Sequence, residues 1–171
     1  LIDFVKASYL EDLTSRIEAD EALAWDDVAP FFQNVSTAGD ERIYGIPVDG
    51  DFHMVYYRTD LLNQAGLAPP ATWEDYLTIA QQFHGQDLNG DSTPDYGSCF
   101  AKEPNHLGYF MMTSIATSYL QSQGTGQGTF FDLETMKPLV NNEAFSKALD
   151  IYKQTSEVGP PGDATMTQPG A

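Results

Sequence analysis

Cysteine is almost absent from this sequence, which has one, Cys99, among 171 residues. A single thiol cannot form an intramolecular disulfide, and it cannot supply the set of thiolates that holds a structural zinc ion. The sequence also lacks any run of about 18 apolar residues, the length that a membrane-spanning helix needs. These absences argue against a disulfide-stapled domain, a cysteine-ligated metal domain and direct membrane insertion.

Basic residues are scarce as well. The chain has 8 Lys and Arg residues against 25 Asp and Glu residues, so its formal net charge is −17. Such an acidic chain is repelled by the phosphates of nucleic acids and by anionic lipid headgroups. Because 42% of the residues are hydrophobic and 12% are aromatic, the composition still supports a buried core. We therefore expect a folded acidic protein with no nucleic-acid partner.

The residue patterns of common enzyme classes are missing. The histidines His53, His84 and His106 are too far apart in the sequence for a helical zinc-binding pair. No serine has the glycine context of a nucleophile elbow. The glycine-rich turn at 124–128 does not follow a strand and open a helix, as a dinucleotide-binding fingerprint must. We therefore predict that the protein is not an enzyme.

Strand-like segments alternate with helix-like segments along the chain, which predicts an α/β fold. The strand-like segments are rich in β-branched and aromatic residues. They are 43–48, 54–57, 98–101 and a hairpin formed by 129–131 and 138–140.

Helices are predicted from apolar spacing and from capping residues. Gly66 fits the end of a helix over 60–65, and Thr72 begins another helix with Asp75 as its capping-box partner. The other predicted helices lie over 10–17, from Asp26 or Asp27 through Val35, over about 107–121 and from Asn142 to Gly159. We expect buried faces formed by Phe31, Phe32 and Val35 in the second of these, and by Phe145, Ala148, Leu149 and Tyr152 in the last.

An acidic loop over 87–97 alternates oxygen-bearing side chains with other residues. Asp87, Asn89, Asp91, Thr93 and Asp95 occupy positions 1, 3, 5, 7 and 9 of a pattern that surrounds a hard cation with oxygen ligands. The alternative is a surface turn rich in Asx residues. The loop departs from an EF-hand, since Ser92 stands at position 6 and Ser98 at position 12. We predict a structural Ca²⁺ ion bound by these five residues.

Asp49 and Asp51 flank a glycine directly after a strand-like segment. Carboxylates accept hydrogen bonds from sugar hydroxyls, and aromatic faces pack against the apolar side of a sugar ring. Tyr44, Tyr109 and Phe110 are candidates for the aromatic role, with packing in the core as the alternative. A glycosidase would need a second carboxylate in a different environment, and the sequence indicates none.

Several motifs occur here in a recognisable order, namely Tyr44-Gly45-Ile46-Pro47, Asp49-Gly50-Asp51, Met54 to Leu61, Ala65-Gly66-Leu67 and Pro70 to Tyr76. With the acidic loop that ends at Gly97, this set resembles the extracellular solute-binding proteins of carbohydrate ABC transporters, the group that includes maltose-binding protein. The resemblance covers nearly the whole chain. It implies a periplasmic-binding-protein-like (type II) architecture, in which two α/β lobes close over a ligand.

The resemblance also implies a division of the chain. Residues 1–46 match the end of the first lobe and a hinge strand, and residues 47–158 match the second lobe with its acidic loop 87–97. Residues 159–171 match a Pro/Gly-rich crossing segment or linker. Since members of this family are longer, we expect the chain to be a fragment.

By the same resemblance, the protein is an extracytoplasmic module that binds a carbohydrate or another small polar solute and delivers it to a membrane permease. Tyr44, Asp49 and Asp51 match the edge of the family's ligand cleft, and Tyr109 and Phe110 fall near its aromatic residues. Two alternatives stay open. One is a ligand-sensing ectodomain of a membrane receptor, and the other is a fragment of a carbohydrate-active enzyme that uses Asp49 or Asp51.

Overall fold

The computed structural model describes residues 1–104, 107–121, 129–132 and 134–167. The chain divides into two compact units, Leu1–Phe52 and His53–Ala171. The lobe boundaries given above stay a prediction, because a compact unit does not by itself identify a lobe or a hinge.

The first unit contains three short helices, α1 over Ile2–Lys6, α2 over Thr14–Ala19 and α3 over Pro30–Ser36. Two 3-10 turns, Glu21–Leu23 and Trp25–Asp27, lie between α2 and α3. Proline at the first position of α3 is favourable, because its fixed φ suits a helix and its missing N–H would have no partner there. The two helices predicted for this part of the chain are present, but they begin later than predicted, at Thr14 and at Pro30.

The backbone of Ile43 is hydrogen-bonded to residues at the start of α2, which are about 30 positions earlier in the sequence. Its carbonyl accepts a hydrogen bond from the Leu13 amide at 2.9 Å, and its own amide donates to Thr14 Oγ1 at 3.1 Å. Ile17 and Ile43 are the buried hydrophobic residues of this unit. The predicted buried face of α3 is partly wrong, because Phe31 is 68% exposed and Val35 54% exposed, while Phe32 is half-buried.

Among its described residues, the second unit contains four α-helices, α4 over Thr59–Ala65, α5 over Trp73–Phe83, α6 over Gly108–Gln121 and α7 over Glu143–Glu157. Gly66 ends α4 with a φ of 68°, in the left-handed region that glycine adopts without strain. Thr72 Oγ1 accepts from the Asp75 amide at 3.0 Å, and Asp75 Oδ2 accepts from the Thr72 amide at 3.1 Å. These helices and this capping box confirm the predictions.

The core of the second unit lies where α5, α6 and α7 meet. The core cluster consists of Leu77, Ile115, Ala116, Phe145, Ala148 and Ile151, with Trp73 and Tyr152 among the partly buried residues packed on it. The predicted face of α7 is partly wrong, since Leu149 is 55% exposed while Ile151 is 1% exposed. The residues of α7 that pack on α5 and α6 form a buried stripe centred on Ala148. Leu149 lies outside this stripe, because consecutive residues of a helix are about 100° apart around its axis.

The predicted strands over 43–48, 54–57 and 98–101 do not form regular strands within the described residues, where sheet pairing is limited to two isolated bridges, Thr37 with Ile43 and Phe131 with Pro138. Alternating sequence favours extended backbone, but a ladder of hydrogen bonds also requires a neighbouring strand. The predicted hairpin is present as one such bridge, supported by a 2.8 Å bond from the Leu139 amide to the Phe130 carbonyl. The glycine-rich turn predicted before this hairpin, at 124–128, lies outside the described residues.

Within the described ranges, none of the helices combines the length and the apolar character that crossing a bilayer requires.

Candidate functional site

The acidic corner formed by Asp49 and Asp51 lies in the first unit, and both carboxylates are exposed. Asp49 Oδ1 accepts a hydrogen bond from the Gly50 amide at 2.8 Å. Between the two carboxylates, Gly50 packs so closely on Phe32 that a Cβ atom there would lie 2.2 Å from the ring's Cζ. The Phe32 ring also meets Phe52 edge to face, with centroids 6.0 Å apart. The glycine therefore lets the corner pack on an aromatic ring while both carboxylates face solvent.

Tyr44 is half-buried in the same unit. Its hydroxyl donates to Asp40 Oδ2 at 2.7 Å. This hydrogen bond raises the pKa of Tyr44 above its usual value and lowers the pKa of Asp40. The hydroxyl is thus occupied by a neighbouring carboxylate, so the ring, more than the oxygen, is the part of Tyr44 that suits a ligand.

Tyr109 and Phe110 lie at the start of α6 in the second unit. Their ring centroids are 4.1 Å apart with an interplanar angle of 31°. Tyr109 is 55% exposed and Phe110 44% exposed, so the alternative that they pack in the core is wrong. At this separation the two rings face each other, which leaves the outer side of the pair as an exposed surface to pack on C–H groups of a sugar.

His53 joins this surface, although its sequence context did not identify it as a site residue. Its ring lies 6.3 Å from the Phe110 ring, and its Nδ1 is hydrogen-bonded to Ser114 Oγ. The sequence indicated only that Phe110 and Ser114 share a face, because they are four residues apart on a predicted helix. It did not indicate that His53 would contact this face. His53, Tyr109, Phe110 and Ser114 thus form one cluster on the surface of the second unit.

A cavity of about 410 Å³ opens beside the start of α5 and is lined by Val55, Pro70, Ala71, Thr72, Trp73, Glu74, Tyr76, Ser118 and Tyr119. Its polar groups bond to one another, since Trp73 Nε1 donates to Ser118 Oγ at 3.3 Å and Tyr119 donates to Glu74 Oε1 at 2.9 Å. Lys147 Nζ lies 3.1 Å from the same carboxylate oxygen. Trp73 also packs on the core cluster.

Tyr119 is expected to titrate unusually late. Burial, followed by the hydrogen bond to Glu74 and the charge of that carboxylate, together raise its pKa from 10.0 to about 12. Folding therefore favours the protonated phenol, so the stability that this group contributes is complete below pH 10.0 and is lost as the pH rises toward about 12. The measurement is the phenolate absorbance of the folded protein as a function of pH.

Two variants identify the group in that titration. Tyr119→Phe should remove the latest-titrating phenol, and Glu74→Gln should lower its midpoint because a carboxylate no longer faces it. The expectation is contradicted if Tyr119→Phe removes a group that titrates at the ordinary tyrosine value.

The acidic loop lies in the second unit with its side-chain oxygens turned toward its own backbone. Asp87 accepts from the amides of Gly90, Asp91 and Ser92 at 2.7 to 3.1 Å. Asn89 Oδ1, Asp91 Oδ1 and Asp95 Oδ2 accept from the amides of Asp91, Thr93 and Leu88. Such bonds stabilise a turn without an ion.

The donor chemistry of the acidic loop fits Ca²⁺, because every predicted ligand offers oxygen. Across the described part of the chain, no group of three or more His, Cys, Asp or Glu side chains has an arrangement that could hold a metal ion. Calcium binding by Asp87, Asn89, Asp91, Thr93 and Asp95 therefore stays a prediction.

Comparison with known proteins identifies relatives for nearly the whole chain. The family described as bacterial extracellular solute-binding protein matches residues 1–169. The mannitol-binding protein of Pseudomonas aeruginosa is 30% identical over 152 residues, which are 86% of this chain and 31% of that protein. A probable ABC transporter-binding protein of Deinococcus radiodurans is 31% identical over 119 residues, or 69% of this chain and 26% of that protein. The chain thus spans less than a third of the length of either relative.

A solved structure shares the fold. It is the ABC transporter solute-binding protein of Agrobacterium radiobacter K84 in complex with ribitol, with a TM-score of 0.58 and 23% identity. The match covers 95% of this chain and 38% of that structure. The likeness confirms the predicted periplasmic-binding-protein-like fold class.

Proposed function

Because this chain belongs to the family of bacterial extracellular solute-binding proteins, we propose that it binds a sugar or a sugar alcohol outside the cytoplasm and delivers it to the permease of an ABC transporter. The observation that carries this proposal is the family match over residues 1–169, which includes both compact units. The solute class is supported by a relative that is a mannitol-binding protein and by a structural neighbour that was solved with ribitol.

The exposed side chains described above suit such a solute. A sugar alcohol presents hydroxyl groups along a chain of C–H groups, so carboxylates accept its hydroxyl protons while aromatic faces cover its carbons. In the first unit Asp49 and Asp51 are proposed to accept hydrogen bonds, and Tyr44 to offer its ring. Taken by itself, the second unit offers Tyr109 and Phe110, which are proposed to pack on C–H groups of such a solute.

Binding is tested by isothermal titration calorimetry of the chain with ribitol, mannitol and a panel of sugars. Asp51→Asn should lower the affinity about tenfold or more, because a hydrogen bond to a charged group contributes about 1.5–3 kcal/mol. Asp150→Asn is the matched control, since Asp150 is an exposed carboxylate on α7, and its affinity should equal that of the wild type.

Two outcomes would contradict the proposal. One is the absence of heat and of any melting shift with every polyol and sugar tested. The other is release of product from chromogenic glycosides, which a binding protein does not cleave and which would favour the carbohydrate-active enzyme.

We further propose that the acidic loop binds a structural Ca²⁺ ion. Asp87, Asp91 and Asp95 repel one another in a compact loop, and a cation would offset that repulsion. Calcium at 100 times its dissociation constant should then stabilise the protein by about 2.7 kcal/mol, which a thermal melt measures. Asp87→Asn combined with Asp91→Asn should abolish the shift, and Asp150→Asn should retain it. Identical melts in calcium and in chelator would contradict this proposal.

A further inference from the structure

Lys102 is a buried cation with a full set of partners. Its side chain is 3% exposed and that of Asp163 is 9% exposed. The Lys102 ammonium donates to the Asp163 carboxylate and to Ser156 Oγ, and it lies 5.3 Å from the centroid of the Tyr152 ring. A buried ammonium is tolerated only where such groups replace its water. The backbone at Lys102 is therefore held at one place against the end of α7 and the 3-10 turn Asp163–Thr165.

Backbone hydrogen bonds on both sides of Lys102 reinforce that attachment. The Ser98 amide donates to the Val158 carbonyl at 3.1 Å, and the Glu103 amide donates to the Met166 carbonyl at 3.1 Å. The segment 98–103 is thus fixed at both ends to the segment 158–166, with the ion pair between the two bonds.

The same segment contacts the first residue of α6. The Gly108 amide donates to the Glu103 carbonyl at 3.1 Å. A Cβ atom at Gly108 would lie 2.8 Å from the Lys102 carbonyl oxygen and 3.0 Å from the Tyr152 hydroxyl. The start of α6 therefore packs directly on the backbone that the ion pair holds, and Tyr109 and Phe110 are the next two residues.

We propose that Lys102 and Asp163 are positioning residues that fix the start of α6 and thereby the orientation of Tyr109 and Phe110 toward the solute. The proposal rests on the function proposed above. The two side chains are almost fully buried, so their effect on binding is indirect and passes through the backbone contacts of Lys102, Glu103 and Gly108.

Hydrogen exchange tests the positioning without any ligand. In Lys102→Met, the amides of Gly108 and Phe110 should exchange faster by about tenfold or more relative to the amides of α5 within the same protein. The comparison variant is Leu62→Ala, which removes a buried side chain of α4 outside the core cluster. This variant should leave the ratio of amide exchange rates between the start of α6 and α5 unchanged. Equal acceleration of α5 and α6 in Lys102→Met would overturn the proposal, because it would show general destabilisation only.

Ligand affinity supplies the second measurement. At a temperature where every variant is folded, Lys102→Met should bind the polyol that the wild type binds about tenfold more weakly, since small displacements of contacting groups have large effects, and Leu62→Ala should bind it as the wild type does. Equal affinity of Lys102→Met and wild type overturns the positioning role. If the wild type binds no polyol, the proposed function fails, and the exchange ratio still decides whether the ion pair fixes the start of α6.

Discussion

Replacing Lys102 with methionine is expected to lower the free energy of unfolding by about 3–5 kcal/mol, because the change leaves the Asp163 carboxylate buried without its cation. The pair is among the least exposed polar groups described, with Lys102 6% and Asp163 6% exposed as whole residues. Ser156 would remain near the carboxylate but cannot neutralise its charge. Urea denaturation followed by circular dichroism measures the loss.

A double-mutant cycle separates the ion pair from the packing around it. Asp163→Leu alone should also be strongly destabilising, whereas the double variant Lys102→Met with Asp163→Leu should lose much less than the sum, since two apolar groups of similar volume can replace a buried pair. Lys153→Met is the control, because Lys153 is exposed on α7, and it should change stability by no more than about 0.5 kcal/mol. Additive losses in the double variant would contradict the coupling.

The helix ends of the second unit could be predicted because their causes are local. Thr72 and Asn142 cap helices through hydrogen bonds to residues three positions later, and Gly66 ends α4 by its own conformation. Each of these features is contained within a few residues of sequence. The alternating segment 54–57 differs, because a strand needs a partner that its own residues do not specify, and here the segment is exposed and has no assigned strand.

The candidate site residues likewise include some that the sequence indicated and some that it did not. The acidic corner and the Tyr109–Phe110 pair were found because their residues are adjacent in the sequence. The contact of His53 with Ser114 and the ion pair of Lys102 with Asp163 each join residues 61 positions apart. Helical or strand periodicity cannot predict contacts between residues so far apart in the sequence. The residues next to Lys102 also give no indication that its side chain is buried. Contacts between segments that are distant in the sequence bring these groups together.

The face of α7 shows where sequence and structure lead to different expectations. The apolar spacing placed Phe145 and Leu149 together on the buried side. In the structure Phe145 is 3% exposed and Leu149 is 55% exposed. Phe145 belongs to the core cluster, and its ring lies 6.0 Å from that of Phe130. Thr155 occupies the buried stripe instead, since its hydroxyl donates to the Tyr152 carbonyl at 2.7 Å and needs no water.

Phe145→Ala is therefore expected to lower the free energy of unfolding by about 3–5 kcal/mol, the usual cost of deleting a buried aromatic ring together with the cavity that remains. Leu149→Ala on the same helix should cost no more than about 0.5 kcal/mol, because its side chain is largely in water in both states. Urea denaturation of both variants measures the difference. Equal losses would mean that both side chains are buried, as their spacing alone predicts, and would contradict the stripe centred on Ala148. A large loss for Phe145 alone would show that contacts with α5 and α6, more than the spacing within α7, decide which face is buried.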